Sequence, residues 1–157
     1  MKRKSLLIVI ALLLMTLLIT ACTSGSGGET VKQTATAWVE NGGERALATV
    51  DLTGGWSVEF APGAIYLYDK EIKEDTPSIA MAIVLEQQVY DDYYNDNKDK
   101  EGFEEKDGIC SFIEEYDGTT NYLFMADDKL PILLDVDEGG DGKAIMERLT
   151  FIMESNL

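Results

Sequence analysis

The chain offers little chemistry: two cysteines, seven tyrosines, a large excess of carboxylates and no histidine. Cys22 closes the run Ile19-Thr20-Ala21-Cys22, where the small Thr20 and Ala21 leave the backbone open to a processing enzyme. Cys110 sits in the apolar, strand-like run Ile109-Cys110-Ser111-Phe112 and reads as a buried, inert thiol. A nucleophilic thiol wants a nearby base, and the commonest one, histidine, is missing. If Cys22 is modified, Cys110 has no partner for an intramolecular disulfide.

The carboxylates crowd into Asp91–Glu105, which invites calcium. A twelve-residue calcium loop needs oxygen ligands at positions 1, 3 and 5, glycine at 6 and a glutamate at 12. Counted from Asn97, Asp99 and Glu101 are in place and Gly102 follows, but position 12 is Gly108, which has no carboxylate. Counted from Asp137, Gly139, Asp141 and Gly142 precede Arg148, which repels a cation. Neither loop is complete, so a solvated acidic loop is expected and no metal ligand is assigned.

Tyr90, Tyr93 and Tyr94, joined by Tyr66 and Tyr68, supply rings for an aromatic platform or for helix-to-sheet packing, and packing is the expectation. Trp38 and Trp56 are expected in the core. Glu104-Glu105 and Glu114-Glu115 are adjacent pairs, which strands point to opposite faces, so neither pair converges for acid–base work. No phosphate loop, serine elbow or zinc spacing is present, and the chain is expected not to be an enzyme and to need no cofactor.

The elements that hold these groups begin with a leader. Lys2, Arg3 and Lys4 precede Leu6–Ile19, which is apolar except for Thr16. Fourteen residues rise about 21 Å as a helix, short of the ~30 Å hydrocarbon core, as in a cleavable export signal. With Ile19, Thr20, Ala21 and Cys22 the segment resembles a bacterial lipoprotein signal ending in a lipobox. That resemblance implies cleavage after Ala21 and diacylglycerol in thioether linkage on Cys22. Each buried methylene then stabilises the anchored state by about 0.8 kcal/mol, and two or more chains hold the protein at the membrane.

The leader carries three of the 13 basic residues and none of the 29 acidic ones, so the remainder has a net charge of −19. Such a surface argues against nucleic acid and against lying flat on anionic lipid, and favours a monomer. Thr23–Gly28 reads Thr-Ser-Gly-Ser-Gly-Gly, a flexible tether. About a dozen such residues span ~19 Å. That exceeds the ~8 Å screening length of physiological salt, so the acidic domain hangs beyond headgroup repulsion. Three segments follow: a signal peptide at 1–21, a tether at 22–34 and a single domain at 35–157. A domain near this size buries roughly two-thirds of its unfolded surface and needs no disulfides.

Within the domain, Thr34–Glu40 and Arg45–Leu52 read as strands flanking Asn41-Gly42-Gly43. Trp56–Phe60 alternates apolar and polar, Ala61-Pro62-Gly63 turns it, and Ala64–Tyr68 returns as a hairpin. Asp69–Pro77 is a loop. Ser78–Leu85 is nearly continuously apolar, which predicts a central strand covered on both faces. Glu86–Asn97 is expected to be a short helix, with Val89, Tyr93 and Asn97 four apart and Tyr90 and Tyr94 likewise. Strands are then expected to be separated by Asp107-Gly108, Asp117-Gly118 and Asp127-Asp128-Lys129, with Pro131 at an edge or initial position. Lys143–Glu154 is expected to be a helix, capped by Asp141 and striped by Ile145, Leu149, Ile152 and Met153.

The order implies α+β: an antiparallel meander sheet of six or seven strands, with a central short helix and a C-terminal helix packed on one face. Gly55–Gly63, the meander after Asp107-Gly108 and a closing helix through Met146-Glu147-Arg148-Leu149 resemble PsbP-like α/β domains over residues 44–157. That resemblance implies an extracytoplasmic domain that docks onto partners. The metal-linked histidines of the plant members have no counterpart in this chain.

The expectation is a lipid-anchored, extracytoplasmic binding module of the bacterial cell envelope, held to the membrane through Cys22 and meeting a protein or envelope partner. The alternatives are a calcium-responsive acidic module and an Asp/Glu-dependent hydrolase.

Overall fold

The computed structural model describes residues 33–41, 44–114, 118–127 and 129–157. The leader, Cys22 and the glycine-rich tether therefore lie outside the described residues, as do Gly42-Gly43, Glu115-Tyr116-Asp117 and Asp128. No helix among the described residues is long and apolar enough to cross a membrane.

Ten strands form two antiparallel sheets among the described residues. The small sheet holds β1 (Thr34–Asn41), β2 (Glu44–Asp51) and β10 (Leu149–Met153), with β2 in the middle. The large sheet runs in the order β3 (Ser57–Ala61), β4 (Ala64–Tyr68), β5 (Ala80–Val84), β9 (Leu130–Val136), β8 (Thr120–Ala126), β7 (Ile109–Ile113), β6 (Glu104–Lys106). It is two meanders, β3-β4-β5 and β6-β7-β8-β9, joined where β5 pairs with β9 from Ala80↔Val136 to Val84↔Ile132. The connection between them contains helix α1 (Gln87–Asn97).

Side-chain alternation builds two cores from the large sheet. Along β9, Leu130, Ile132, Leu134 and Val136 point to one face, where they join Ile65, Leu67, Ala80, Ala82 and Val84 and meet Val39, Ala46, Ala48 and Val50 of the small sheet. Leu133 points to the other face, where Cys110, Phe112, Leu123 and Leu85 pack under Tyr90, Tyr93 and Tyr94 of α1. The layers are thus small sheet, large sheet and α1. β5 is internal, as its continuous apolar run requires: Ala80, Ala82 and Val84 face one core and Ile83 the other.

Pro131 is not on an edge strand. β9 is the central strand, and Pro131 is its second residue. The proline is tolerated because its carbonyl accepts from Leu85 N (2.9 Å). In an antiparallel strand the N–H points the same way, so the missing donor falls where the β5 ladder has ended at Val84↔Ile132.

The expected C-terminal helix is overturned. Helix α2 is only Gly142–Met146, capped by the Asp141 carboxylate accepting from Ala144 N (3.1 Å), and the chain then becomes β10. The closing helix through Leu149 that the PsbP-like resemblance implies is absent for the same reason. Leu149, Ile152 and Met153 suit a helical stripe, but Leu149, Phe151 and Met153 also alternate. That alternation puts these three against the small sheet's inner core and leaves Ile152 exposed. β2 decides between them, because pairing Leu149↔Val50 through Met153↔Ala46 satisfies the backbone along its second side. The two helices also lie on opposite faces of the large sheet, since Ile145 of α2 belongs to the inter-sheet core and α1 covers the other one.

Arg148 fastens the turn after β2. Its guanidinium lies 4.2 Å from the Trp56 ring centroid, and Nη1 donates to the carbonyls of Asp51 (3.1 Å) and Thr53 (3.0 Å). Trp56 is half-buried against the core, as expected. Trp38 is not: it is 42% exposed on the outer face of the small sheet, with the Arg45 guanidinium 4.4 Å above it.

Candidate functional site

Helix α1 is made of weak helix formers, and side-chain bonds four residues apart support it: Gln87 to Asp91 (2.8 Å) and Gln88 to Asp92 (2.9 Å). Both bonds lie on the exposed side of the helix. Tyr90, Tyr93, Tyr94 and Asn97 turn toward the sheet at i, i+3, i+4 and i+7, whereas Val89, expected with them, is exposed.

The sheet supplies the opposing surface. Asp107 (φ 54°) and Gly108 (φ 79°) make the left-handed two-residue turn that joins β6 to β7. The register then sets Glu105 opposite Cys110 and Cys110 opposite Leu123, on the face toward α1. Glu104 takes the other face, so the adjacent glutamates diverge as strand geometry demands. Phe103 bridges helix and sheet, edge-on to Tyr94 (5.9 Å) and stacked on Phe112 (6.5 Å). Each such pair contributes about 0.5–1.5 kcal/mol beyond burial.

Between α1 and the β6–β7 hairpin lies an open recess of about 510 Å³. Tyr90 and Tyr94 wall it, Asp91, Asn95, Glu105 and Asp107 supply polar atoms, and Cys110 and Met125 give it a soft apolar lining. Among the described residues none that lines it is basic. The Tyr94 hydroxyl donates to Glu105 Oε2 (3.2 Å), which ties helix to hairpin.

The field of the recess is negative. Tyr94 is raised from 10.0 chiefly by the charge of Glu105, then by the hydrogen bond to it. Burial raises Tyr90, and the negative charges of Cys110, once ionised, and of Glu105 add to the effect. Burial also pushes the Cys110 thiol above 9.0, with Glu105 adding to it, so the thiol stays protonated and unreactive at neutral pH.

The structure therefore gathers Tyr90, Tyr93 and Tyr94 but not all five tyrosines: Tyr66 and Tyr68 stand apart on β4, where Tyr68 donates to Glu59 (3.3 Å). The acidic tract is divided between α1, its C-terminal loop and β6. Asn97, first in one calcium count, is buried; its amide donates to the Tyr93 carbonyl (2.8 Å) and its oxygen accepts from Lys100 Nζ (3.0 Å). Asp141 of the other count caps α2. Among the described residues no group of three or more cysteines and carboxylates is placed to hold a metal ion. The parts of the recess that sequence reading missed are Asp107 and Met125. Their signal was weak: Asp107-Gly108 marks a turn, and only the β7–β8 register brings Met125 to the same side. No protein-family model, curated protein or solved structure matches the chain.

Proposed function

We propose that the chain is a lipid-anchored, extracytoplasmic binding module of a bacterial cell envelope, tethered through Cys22, that meets its partner at the recess between α1 and the β6–β7 hairpin and does no catalysis. The observation that carries this reading is the recess: Tyr90 and Tyr94, the latter fixed by its bond to Glu105, beside the carboxylates of Asp91, Glu105 and Asp107. Rigid aromatic rings give contact area at small entropic cost. Anchoring raises the effective concentration at the membrane, so modest affinity suffices. The lipobox resemblance at Ile19–Cys22 supports the anchor, and the net acidic charge supports a partner other than nucleic acid.

A photo-crosslinking amino acid at Asn95, on the recess rim, tests the reading in intact cells producing the full chain. One discrete partner adduct is expected, lost in Tyr90→Ala and absent when the crosslinker stands at exposed Lys70. Equal adducts from Lys70, or an adduct indifferent to Tyr90→Ala, would remove the recess as the contact surface.

A further inference from the structure

Charge and shape together say what the recess accepts. Three carboxylates, Asp91, Glu105 and Asp107, stand around two tyrosine rings, with Met125 beside them and no basic residue among the described lining. An ammonium on an aliphatic stem fits each part. Its N–H groups suit carboxylate oxygens, its charge suits the electron-rich tyrosine rings, and its methylenes suit the Met125 side chain. The chain supplies its own example at the rim. Lys98 Nζ lies 5.8 Å from the Tyr94 ring centroid while donating to Asn95 Oδ1 (2.8 Å).

Guanidinium fits less well. Its fork prefers both oxygens of one carboxylate, and two of the three carboxylates have one oxygen engaged: Asp91 Oδ1 accepts from Gln87 and Glu105 Oε2 from Tyr94. A compact ammonium needs only one oxygen from each. The recess volume, about 510 Å³, is ample for a butylammonium group and falls within the ~300–1,000 Å³ of small-ligand sites.

We infer that the recess receives the side-chain ammonium of a lysine on a basic protein partner, held by Glu105 and Asp107 against Tyr90 and Tyr94. This rests on the proposed binding role of the same recess and names the chemistry of what binds there. The wider charge of the chain agrees, because an acidic module attracts a basic partner and speeds their encounter.

The test uses the full-length protein in zwitterionic lipid nanodiscs with 13C-methyl-labelled methionines. Met125 reports on the recess, while Met81 and the buried Met153 report elsewhere. Titration with Nα-acetyl-lysine methylamide should shift the Met125 methyl saturably and leave Met81 and Met153 in place. The Nε-acetylated probe should give no shift, and the arginine analogue should need several-fold more. Glu105→Gln with Asp107→Asn should raise the midpoint by about tenfold while Met153 keeps its native position, and Glu71→Gln should change nothing. Equal movement of Met81, no saturation, or equal response to arginine would overturn the inference. Spermidine binding more than tenfold tighter than the lysine probe would overturn the protein lysine as the source. A specific Asn95 crosslink without any Met125 response would sink the ammonium alone and leave the binding role standing; a Met125 response without a crosslink would remove the protein partner and leave only a recess that binds free ammonium groups.

Discussion

The hydroxyl end of the Tyr122 ring lies close against the backbone of Gly142, so that a Cβ built on the glycine would fall inside the ring's contact shell. Gly142 opens α2 and is buried, and Tyr122 comes from the middle of β8. The glycine is needed here for closeness, since the contact is what seats α2 on the large sheet beside β9. Gly142→Ala should therefore cost about 1–3 kcal/mol, the usual penalty of overpacking. Urea unfolding of the variant, with its slope unchanged and its midpoint lowered, checks this. A second variant, Gly142→Ala with Tyr122→Leu, should recover part of the loss.

Alkaline pH should weaken the fold. Tyr68, Tyr90 and Tyr94 are raised above 10.0 and Cys110 above 9.0 in the folded chain. A raised folded value means that the unfolded chain releases these protons first. The associated stability is whole below about pH 9 and is lost as pH climbs through the folded values. Melting temperatures measured from pH 8 to 11 should fall across the upper part of that range. Because Glu105 is the first cause of the Tyr94 shift, Glu105→Gln should move the Tyr94 titration down, read from phenolate absorbance against Tyr94→Phe.

Cys110 should behave as core. It is 3% exposed and packs with Phe112, Leu123 and Leu133. Iodoacetamide should label it only as fast as the domain opens, and reductant should leave the melting curve unchanged. Cys110→Ser places a hydroxyl in an apolar setting and should cost about 1–3 kcal/mol, whereas Cys110→Ala should cost mainly the small cavity it leaves. Rapid labelling of the native protein would contradict the burial.

The anchor makes its own prediction. Cys22→Ala should release the protein from the membrane fraction or leave the unprocessed precursor. Mass spectrometry of the native N-terminal peptide should find Cys22 as the first residue, carrying diacylglycerol. A bare thiol with the leader attached would refute the assignment.

What the amino-acid sequence determined was local. Pro62-Gly63 and Asp107-Gly108 impose their turns on the flanking residues, and the hairpins β3–β4 and β6–β7 form where those dipeptides place them. The apolar run of β5 announced an internal strand, and the tyrosine spacing announced the helix α1. Tertiary structure decided whatever depended on a distant partner. Leu149–Met153 satisfies both a 3.6-residue and a two-residue period, and only the open side of β2, about a hundred residues earlier, makes it a strand. The β1–β2 register, which buries Val39 beside Ala46, likewise leaves Trp38 on the outer face of the small sheet. The recess is non-local too. Tyr90 and Tyr94 meet Glu105, Asp107 and Met125 only because a helix between two meanders folds back over a register set by β7, β8 and β9. Periodicity and turn chemistry act within a few residues. Which face a strand turns toward a helix is fixed by pairing energies summed across the whole sheet.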